Sequence, residues 1–223
     1  MGHRIRVLII DDHRLFADAL ALLLTDHDEI HVIGAAHSAE EALERWGQEK
    51  PDVVLMDVGL PLMDGIEATR RLRESNPEVQ VVIITASLED DVIAKAVDAG
   101  ASGFVPKTYA ADELVSVIKR AAAGEIVLPT NRLLQTFAII AKVRHSRAAA
   151  EQLLGRLTNR EVQILQGMAE GRSTDGIAEW LGISVMTVRT HIKSLMAKLG
   201  VHSRLEAVAL GVREGFIRIP SAV

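Results

Sequence analysis

A chain of 223 residues, 48% apolar and 25% charged, has room for one large or two small globular domains. It holds no cysteine, which excludes a disulfide scaffold, a thiolate metal site and a cysteine nucleophile and fits a reducing compartment. Arg4 and Arg6 lead straight into the Ile5–Ile10 run without a signal pattern, and no stretch approaches the ~20 apolar residues that span a bilayer, so a cytoplasmic protein with no membrane partner is expected. The net charge of −5 is uneven: residues 1–125 carry 12 basic against 23 acidic side chains, residues 126–150 carry 4 against none, and residues 151–223 carry 9 against 7. An acidic domain joined to a mildly basic one is expected, and basic segments are candidate nucleic-acid faces.

In chain order, residues 1–123 read as five strand–helix units. The predicted strands are Ile5–Ile10, Ile30–Ala35, Val53–Met56, Val81–Ile84 and Gly103–Val105, continuous Val/Ile/Leu runs of the kind buried on both faces. Helices between them carry recognisable starts: Ser38-Ala-Glu-Glu41 is a capping box, Asp64-Gly-Ile-Glu67 has the same form, and Ser87 opens a fourth helix. Pro77 stops the third at Asn76, and Leu114, Val117, Ile118 and Ala121 form the apolar stripe of the fifth. Strands alternating with helices imply a parallel sheet. Gly124 and Pro129 close this unit, and residues 124–154 read as a linker with a helix over 130–154, either a connector packed on one domain or a dimer-forming helix. Residues 155–223 read as a small all-α domain. Thr158-Asn-Arg-Glu161 is a capping box, Ser173 caps a short helix ended by Gly182, Ser184 caps Val185–Leu199, and Ser203-Arg-Leu-Glu206 starts a last helix. The tight Leu181-Gly-Ile-Ser184 turn fits a helix-turn-helix.

Asp11, Asp12, Asp57, Thr85 and Lys107 all stand at or just beyond the ends of apolar runs. In a parallel sheet those ends share one edge, where ligands of open α/β sheets bind. Clustered carboxylates repel, so a pKa rises or a cation sits among them, and a hard cation such as Mg²⁺ takes oxygen ligands. Asp57, ending the central strand ahead of a Gly59/Pro61 loop, is the best candidate for a carboxylate nucleophile that forms an aspartyl-phosphate. Lys107 offers a point charge to a phosphoryl group and Thr85 a hydroxyl. No second aspartate follows at the two-residue spacing a phosphatase-type general acid would need, because Gly59 stands there, so an enzyme is not expected.

The strings Leu8-Ile-Ile-Asp-Asp-His13, Val54-Leu-Met-Asp57 with Pro61 and Met63-Asp-Gly65, Ile83-Ile-Thr-Ala86 and Gly103-Phe-Val-Pro-Lys107 resemble the receiver domain of two-component response regulators over residues 4–123. The resemblance implies a flavodoxin-like, doubly wound, five-stranded sheet with Asp57 as phosphoacceptor. It also implies Mg²⁺ held by Asp11, Asp12, Asp57 and the Gly59 carbonyl, and Lys107 as the phosphate-pairing lysine. Thr85 matches the switch hydroxyl and Phe104 the switch aromatic: on phosphorylation Thr85 would move toward the phosphoryl group and Phe104 into the space vacated. The chain departs from many relatives in having no side chain at Gly59, no hydroxyl on Phe104 and Thr108 in place of a proline after Lys107.

In Val185–Leu199 the apolar Val185, Val188, Ile192, Leu195 and Leu199 follow helical spacing, with Arg189, Thr190, Lys193 and Ala197 on the other side. An apolar back with a basic or small front suits a helix in the major groove. Leu157-Thr-Asn-Arg-Glu161, Ile177-Ala178, Leu181-Gly-Ile-Ser184, Thr187-Val-Arg-Thr-His191 and Lys198-Leu-Gly-Val201 resemble the LuxR-type helix-turn-helix of the NarL/FixJ family over residues 156–215. By position this implies base contacts from Arg189, Thr190 and Lys193, phosphate-side or supporting roles for Thr187 and His191, and a dimerising last helix. Asp175, Gly176 and the Glu179-Trp180 pair replace residues that are often basic. The expectation is a phosphorylation-controlled transcription regulator that is served by a cognate sensor histidine kinase and binds promoter DNA as a homodimer. A phosphorylation-independent DNA-binding regulator with an unused or differently liganded acidic pocket is the alternative.

Overall fold

The sheet's strands carry apolar residues on both faces, and the reason is visible in how they are covered. A computed structural model describes residues 4–86, 89–129, 156–215 and 217, which fall into two compact units divided after Leu128. In the first unit the elements are β1 (Ile5–Ile10), α1 (Arg14–Thr25), β2 (Ile30–Ala36), α2 (Ala39–Glu49), β3 (Val53–Asp57), α3 (Gly65–Ser75), β4 (Gln80–Thr85), α4 (Asp90–Asp98), β5 (Gly103–Pro106) and α5 (Ala111–Ala122). The strands pair in parallel in the order β2-β1-β3-β4-β5. Val7, Ile9, Val53, Leu55, Val82, Ile84 and Val105 cluster with Ala17, Leu24, Leu114, Ile118 and Ala121 of α1 and α5. The alternate residues Leu8, Ile10, Val54, Met56, Val81, Ile83 and Phe104 are equally buried and point to the opposite face, on the side of α2 and α3, with α4 packed against α3. Each fully buried aliphatic side chain stabilises this arrangement by roughly 1.5–3 kcal/mol.

Two glycines set close approaches that position the sheet edge. A Cβ on Gly65 would lie 1.8 Å from the Asp57 carbonyl oxygen, so only glycine lets α3 start directly against the end of β3. A Cβ on Gly103 would lie 2.0 Å from the Val127 carbonyl oxygen. The chain after α5 runs beside β5 there, with the Phe104 N–H donating to Val127 at 3.0 Å, and so covers a strand edge that would otherwise be open.

Local signals hold with small shifts. Pro77 follows a helix that stops at Asn76. Ser38 accepts from the Glu41 N–H as a cap should, yet the Glu41 carboxylate accepts from the N–H of His37, one residue earlier than a capping box requires. Likewise Asp64 caps α3, but Glu67 turns outward to Arg70 and Arg71. Ser87 lies outside the described residues, and α4 begins at Asp90 behind Glu89. The linker helix expected over 130–154 also lies outside them.

The second unit contains α6 (Asn159–Ala169), α7 (Thr174–Leu181), α8 (Val185–Leu199) and α9 (Arg204–Arg213). Thr158 and Glu161 complete a reciprocal capping box at the start of α6. Ser173, Ser184 and Ser203 each accept a backbone N–H three residues on, and Gly182 and Gly200 end α7 and α8 in the left-handed region, at φ 63° and 69°. Ile164, Leu165, Ile177, Val188, Leu195, Leu205 and Val208 form the buried interior.

Candidate functional site

Parallel strands deliver their C-terminal ends to one edge, and there the predicted residues of the first unit meet. Asp11 follows β1, Asp57 ends β3, Thr85 ends β4 and Lys107 follows β5. Carboxylate oxygens of Asp11, Asp12 and Asp57 all lie within 4.8 Å of one another. Lys107 reaches across with its ammonium 2.7 Å from Asp11 Oδ2 and 3.1 Å from Asp57 Oδ2, and it lies 5.0 Å from the centre of the Phe16 ring. Asp11, Asp57 and Thr85 are buried, whereas Asp12 is exposed. Among the described residues this is an acidic pocket with one exposed carboxylate, Asp12, and one cation, Lys107.

Burial pushes the Asp57 carboxyl above its ordinary 3.8; the Lys107 ammonium opposes that, the Asp11 charge reinforces it, and the Gly59 N–H offsets it in part. Burial works against the charged form of Lys107 as well, but its two carboxylate partners prevail and raise its pKa. Three carboxylates facing one ammonium remain short of positive charge, and an all-oxygen donor set of this kind suits a hard divalent cation. A Cβ built on Gly59 would lie 3.5 Å from Asp57 Oδ2, so residue 59 borders the pocket and leaves it open. In the same loop Leu62 is 97% exposed and holds φ at 66°, a conformation that costs a branched residue energy.

Phe104 is fully buried on β5 opposite Ile83, and Thr85 stands two residues further along β4 on the same face. The predicted switch pair are therefore diagonal neighbours on the face of the sheet away from α1 and α5. The Lys107–Thr108 peptide is trans, like every other peptide bond of the described residues.

Sequence reading missed one supporting contact here. His37 places Nδ1 3.0 Å from the Asp11 carbonyl oxygen, which can only accept, so Nδ1 carries the hydrogen. The Asp11 carboxylate in turn accepts from the His13 N–H at 3.0 Å. No local periodicity signals a bond from the end of β2 to the end of β1.

In the second unit, Val188, Ile192, Leu195 and Leu199 of α8 are buried while Thr187, Arg189, Thr190, Lys193 and Ala197 are exposed and His191 is half-buried. The Thr187 hydroxyl lies 2.8 Å from that of the capping Ser184, which fits a supporting position. Trp180 is 43% exposed with the Arg172 guanidinium 4.8 Å from its ring centre, a surface cation–π contact.

Glu161, read from sequence only as a cap, is 2% exposed and does more. Its carboxylate accepts from the Thr158 N–H at 2.7 Å, the Thr158 hydroxyl at 3.0 Å, the Ser194 hydroxyl at 2.7 Å and the Lys198 ammonium at 2.8 Å. Burial alone would raise its pKa, but Lys198 and the Thr158 and Ser194 donors outweigh burial and hold it at about 2. Ser194 and Lys198 are one turn apart on α8, so this carboxylate pins α8 to the start of α6.

Residues 7–119 match the model of the response regulator receiver domain, and residues 155–210 match that of bacterial regulatory proteins of the luxR family. This chain is a two-component response regulator of the LuxR type. The response regulator protein VraR of Staphylococcus aureus is 31% identical over 96% of this chain and 99% of its own length. The crystal structure of ChrA, a response regulator of a heme-sensing two-component system, is 30% identical over 97% of this response regulator and 100% of that chain, with a TM-score of 0.52. A LuxR-family response regulator from Aurantimonas sp. SI85-9A1 is 32% identical over 60% of this chain and 96% of that one, with a TM-score of 0.56. The family comprises DNA-binding transcription regulators. None of this response regulator's described helices is long and apolar enough to cross a membrane.

Proposed function

We propose that this response regulator accepts a phosphoryl group on Asp57 from a cognate sensor histidine kinase and, so modified, binds promoter DNA as a homodimer. The observation that carries the reading is the Lys107 ammonium bonded to both Asp11 and Asp57 in a three-carboxylate pocket, in a chain that also holds a helix-turn-helix. Asp11, Asp12, Asp57 and the Gly59 carbonyl would hold Mg²⁺, which supplies positive charge to phosphoryl oxygens. The Asp57 carboxylate forms the new bond to phosphorus as the donor's bond to phosphorus breaks. Lys107 then exchanges part of its carboxylate pairing for the phosphoryl oxygens, and the Thr85 hydroxyl donates to one of them. Phosphorylation adds roughly −1.5 to −2 charges. Thr85 and Phe104 share one face of adjacent strands, which supports a coupled shift of the two that remodels the surface around α4, β5 and α5.

On DNA, α8 enters the major groove with Arg189, Thr190 and Lys193 toward base edges and Thr187 and His191 on its flank, and two copies meet half-sites one helical turn apart. The α9 helix is the candidate dimer element of this unit, and residues 1–123, 124–154 and 155–223 serve as receiver, linker and DNA-binding parts. Asp175 and Glu179 lie exposed on α7 where phosphate-binding cations would help, so affinity leans on dimerisation or on a second site. Intact mass after incubation with acetyl phosphate and Mg²⁺ tests the reading. One added phosphoryl group in the wild type and none in Asp57→Asn is the expected result, and equal incorporation in both would overturn it.

A further inference from the structure

A helix of about 100° per residue places positions 186, 189, 190, 193 and 197 on one stripe. In α8 these are Met186, Arg189, Thr190, Lys193 and Ala197, all exposed, opposite the buried Val188, Ile192, Leu195 and Leu199. Met186 falls near the middle of that arc, with Arg189 toward one margin and Thr190 toward the other. It also stands in the first turn of α8, the half of a recognition helix that reaches base edges. Its side chain is 69% exposed.

A lone exposed apolar residue is ordinary on a protein surface. Its setting here is not. The Thr190 hydroxyl donates to the Met186 carbonyl at 3.0 Å, so its hydrogen is committed to the helix, leaving its oxygen to accept and its methyl to make an apolar contact. The stripe therefore presents an apolar centre, Met186 with the methyls of Thr190 and Ala197, accompanied by the cations Arg189 and Lys193. In the major groove the apolar group of the base pairs is the C5 methyl of thymine, while guanine offers acceptors to Arg and Lys. Methionine is unbranched and polarizable and adapts to such a contact.

We propose that Met186 is a specificity-determining residue that reads thymine through its C5 methyl group, beside guanine contacts made by Arg189 or Lys193. The inference rests on α8 being the helix that enters the groove. It extends that reading from Arg189, Thr190 and Lys193 to an apolar side chain that discriminates among bases.

The test uses the full chain phosphorylated with acetyl phosphate and Mg²⁺. Duplexes are selected from a random library, and affinity is measured by fluorescence anisotropy for the enriched duplex and for copies in which each thymine in turn is replaced by uracil. Wild type, Met186→Ala and Met186→Leu are compared. At one symmetric thymine position, loss of the methyl is expected to weaken wild-type binding about fourfold, the scale of one buried methyl group. That discrimination should vanish in Met186→Ala and persist in Met186→Leu, while the salt dependence stays equal in all three because no charge has changed. Uracil tolerated at every position by the wild type, or discrimination undiminished in Met186→Ala, would overturn the role of Met186 and leave α8 as the groove helix. A library that enriches no sequence would overturn the DNA-reading assignment of α8 and the inference with it.

Discussion

Asp57 and Glu161 are both buried carboxylates bonded to a lysine, yet their surroundings drive them in opposite directions. Asp57 shares Lys107 with Asp11 and has the Gly59 N–H as further help, and burial wins, so its carboxyl is pushed up. Glu161 is, among the described residues, the one carboxylate paired with Lys198; it has Ser194 and both donors of Thr158 besides, and is held at about 2. The pocket of the first unit is left short of positive charge, a condition that suits a cation, which would in turn attract a phosphoryl group. The carboxylate of the second unit is saturated and serves to hold two helices in register. Incomplete compensation marks a place for a ligand, and complete compensation marks a fixed joint.

The largest expected effect breaks the comparison at its functional end. Asp57→Asn should reduce phosphoryl incorporation to background in the mass measurement, while the thermal midpoint of the unphosphorylated protein stays level or rises. A carboxyl raised above its unfolded value weakens the folded state once ionised, so a neutral isostere relieves that cost. A clear fall in midpoint would mean that Asp57 is a structural acid after all.

Glu161→Gln should cost at most about 3 kcal/mol, the scale of a pKa lowered from 4.5 to about 2. Denaturant unfolding followed by Trp180 fluorescence in a Trp46→Phe background would read it. The sign with pH follows from a depressed folded value: the contribution is fully present above the ordinary 4.5 and is lost as pH falls toward about 2. Wild type and Glu161→Gln should therefore converge in stability across that window, and curves that stay parallel would disprove the clamp. For Asp57 the sign is opposite, its penalty appearing as pH rises above 3.8.

Lys107→Met should lower stability by roughly 2 kcal/mol, less than the usual cost of breaking a buried pair because its side chain is 20% exposed. It should also slow phosphorylation by acetyl phosphate, and an unchanged rate would remove Lys107 from the phosphoryl site. The smallest effect is Lys193→Met, which should relax preference at one base pair and leave the slope of log affinity against log salt nearly unchanged, as loss of a base contact does; equal weakening on every sequence with a slope reduced by about one would make Lys193 a phosphate contact instead. The overall slope should fall below that of six phosphate contacts, in keeping with Asp175 and Glu179 on α7.

Much of this was legible in the residues themselves. The five apolar-rich runs became five strands with ends unchanged in β1 and shifted by one residue in the others, because a strand buried on both faces, as β3 and β4 are, must be mostly apolar. The caps at Ser38, Asp64, Thr158, Ser173, Ser184 and Ser203 were readable because a side chain that bonds an N–H three residues on is a local event. The reciprocal bonds expected from Glu41 and Glu67 were less so, since a long carboxylate chooses among neighbours.

By itself the sequence determined that Asp11, Asp57, Thr85 and Lys107 would stand at the ends of strands and that α8 would have an apolar back. Periodicity and short-range hydrogen bonds suffice for that. Only the tertiary structure decided the partners. Lys107 meets Asp11 although β3 and β4 separate their strands, His37 bonds the Asp11 carbonyl, Glu161 closes on Ser194 and Lys198, and Met186 is left in water amid a basic face. Each of these depends on strand order, helix docking and side-chain reach between segments distant in the chain, which no local pattern specifies.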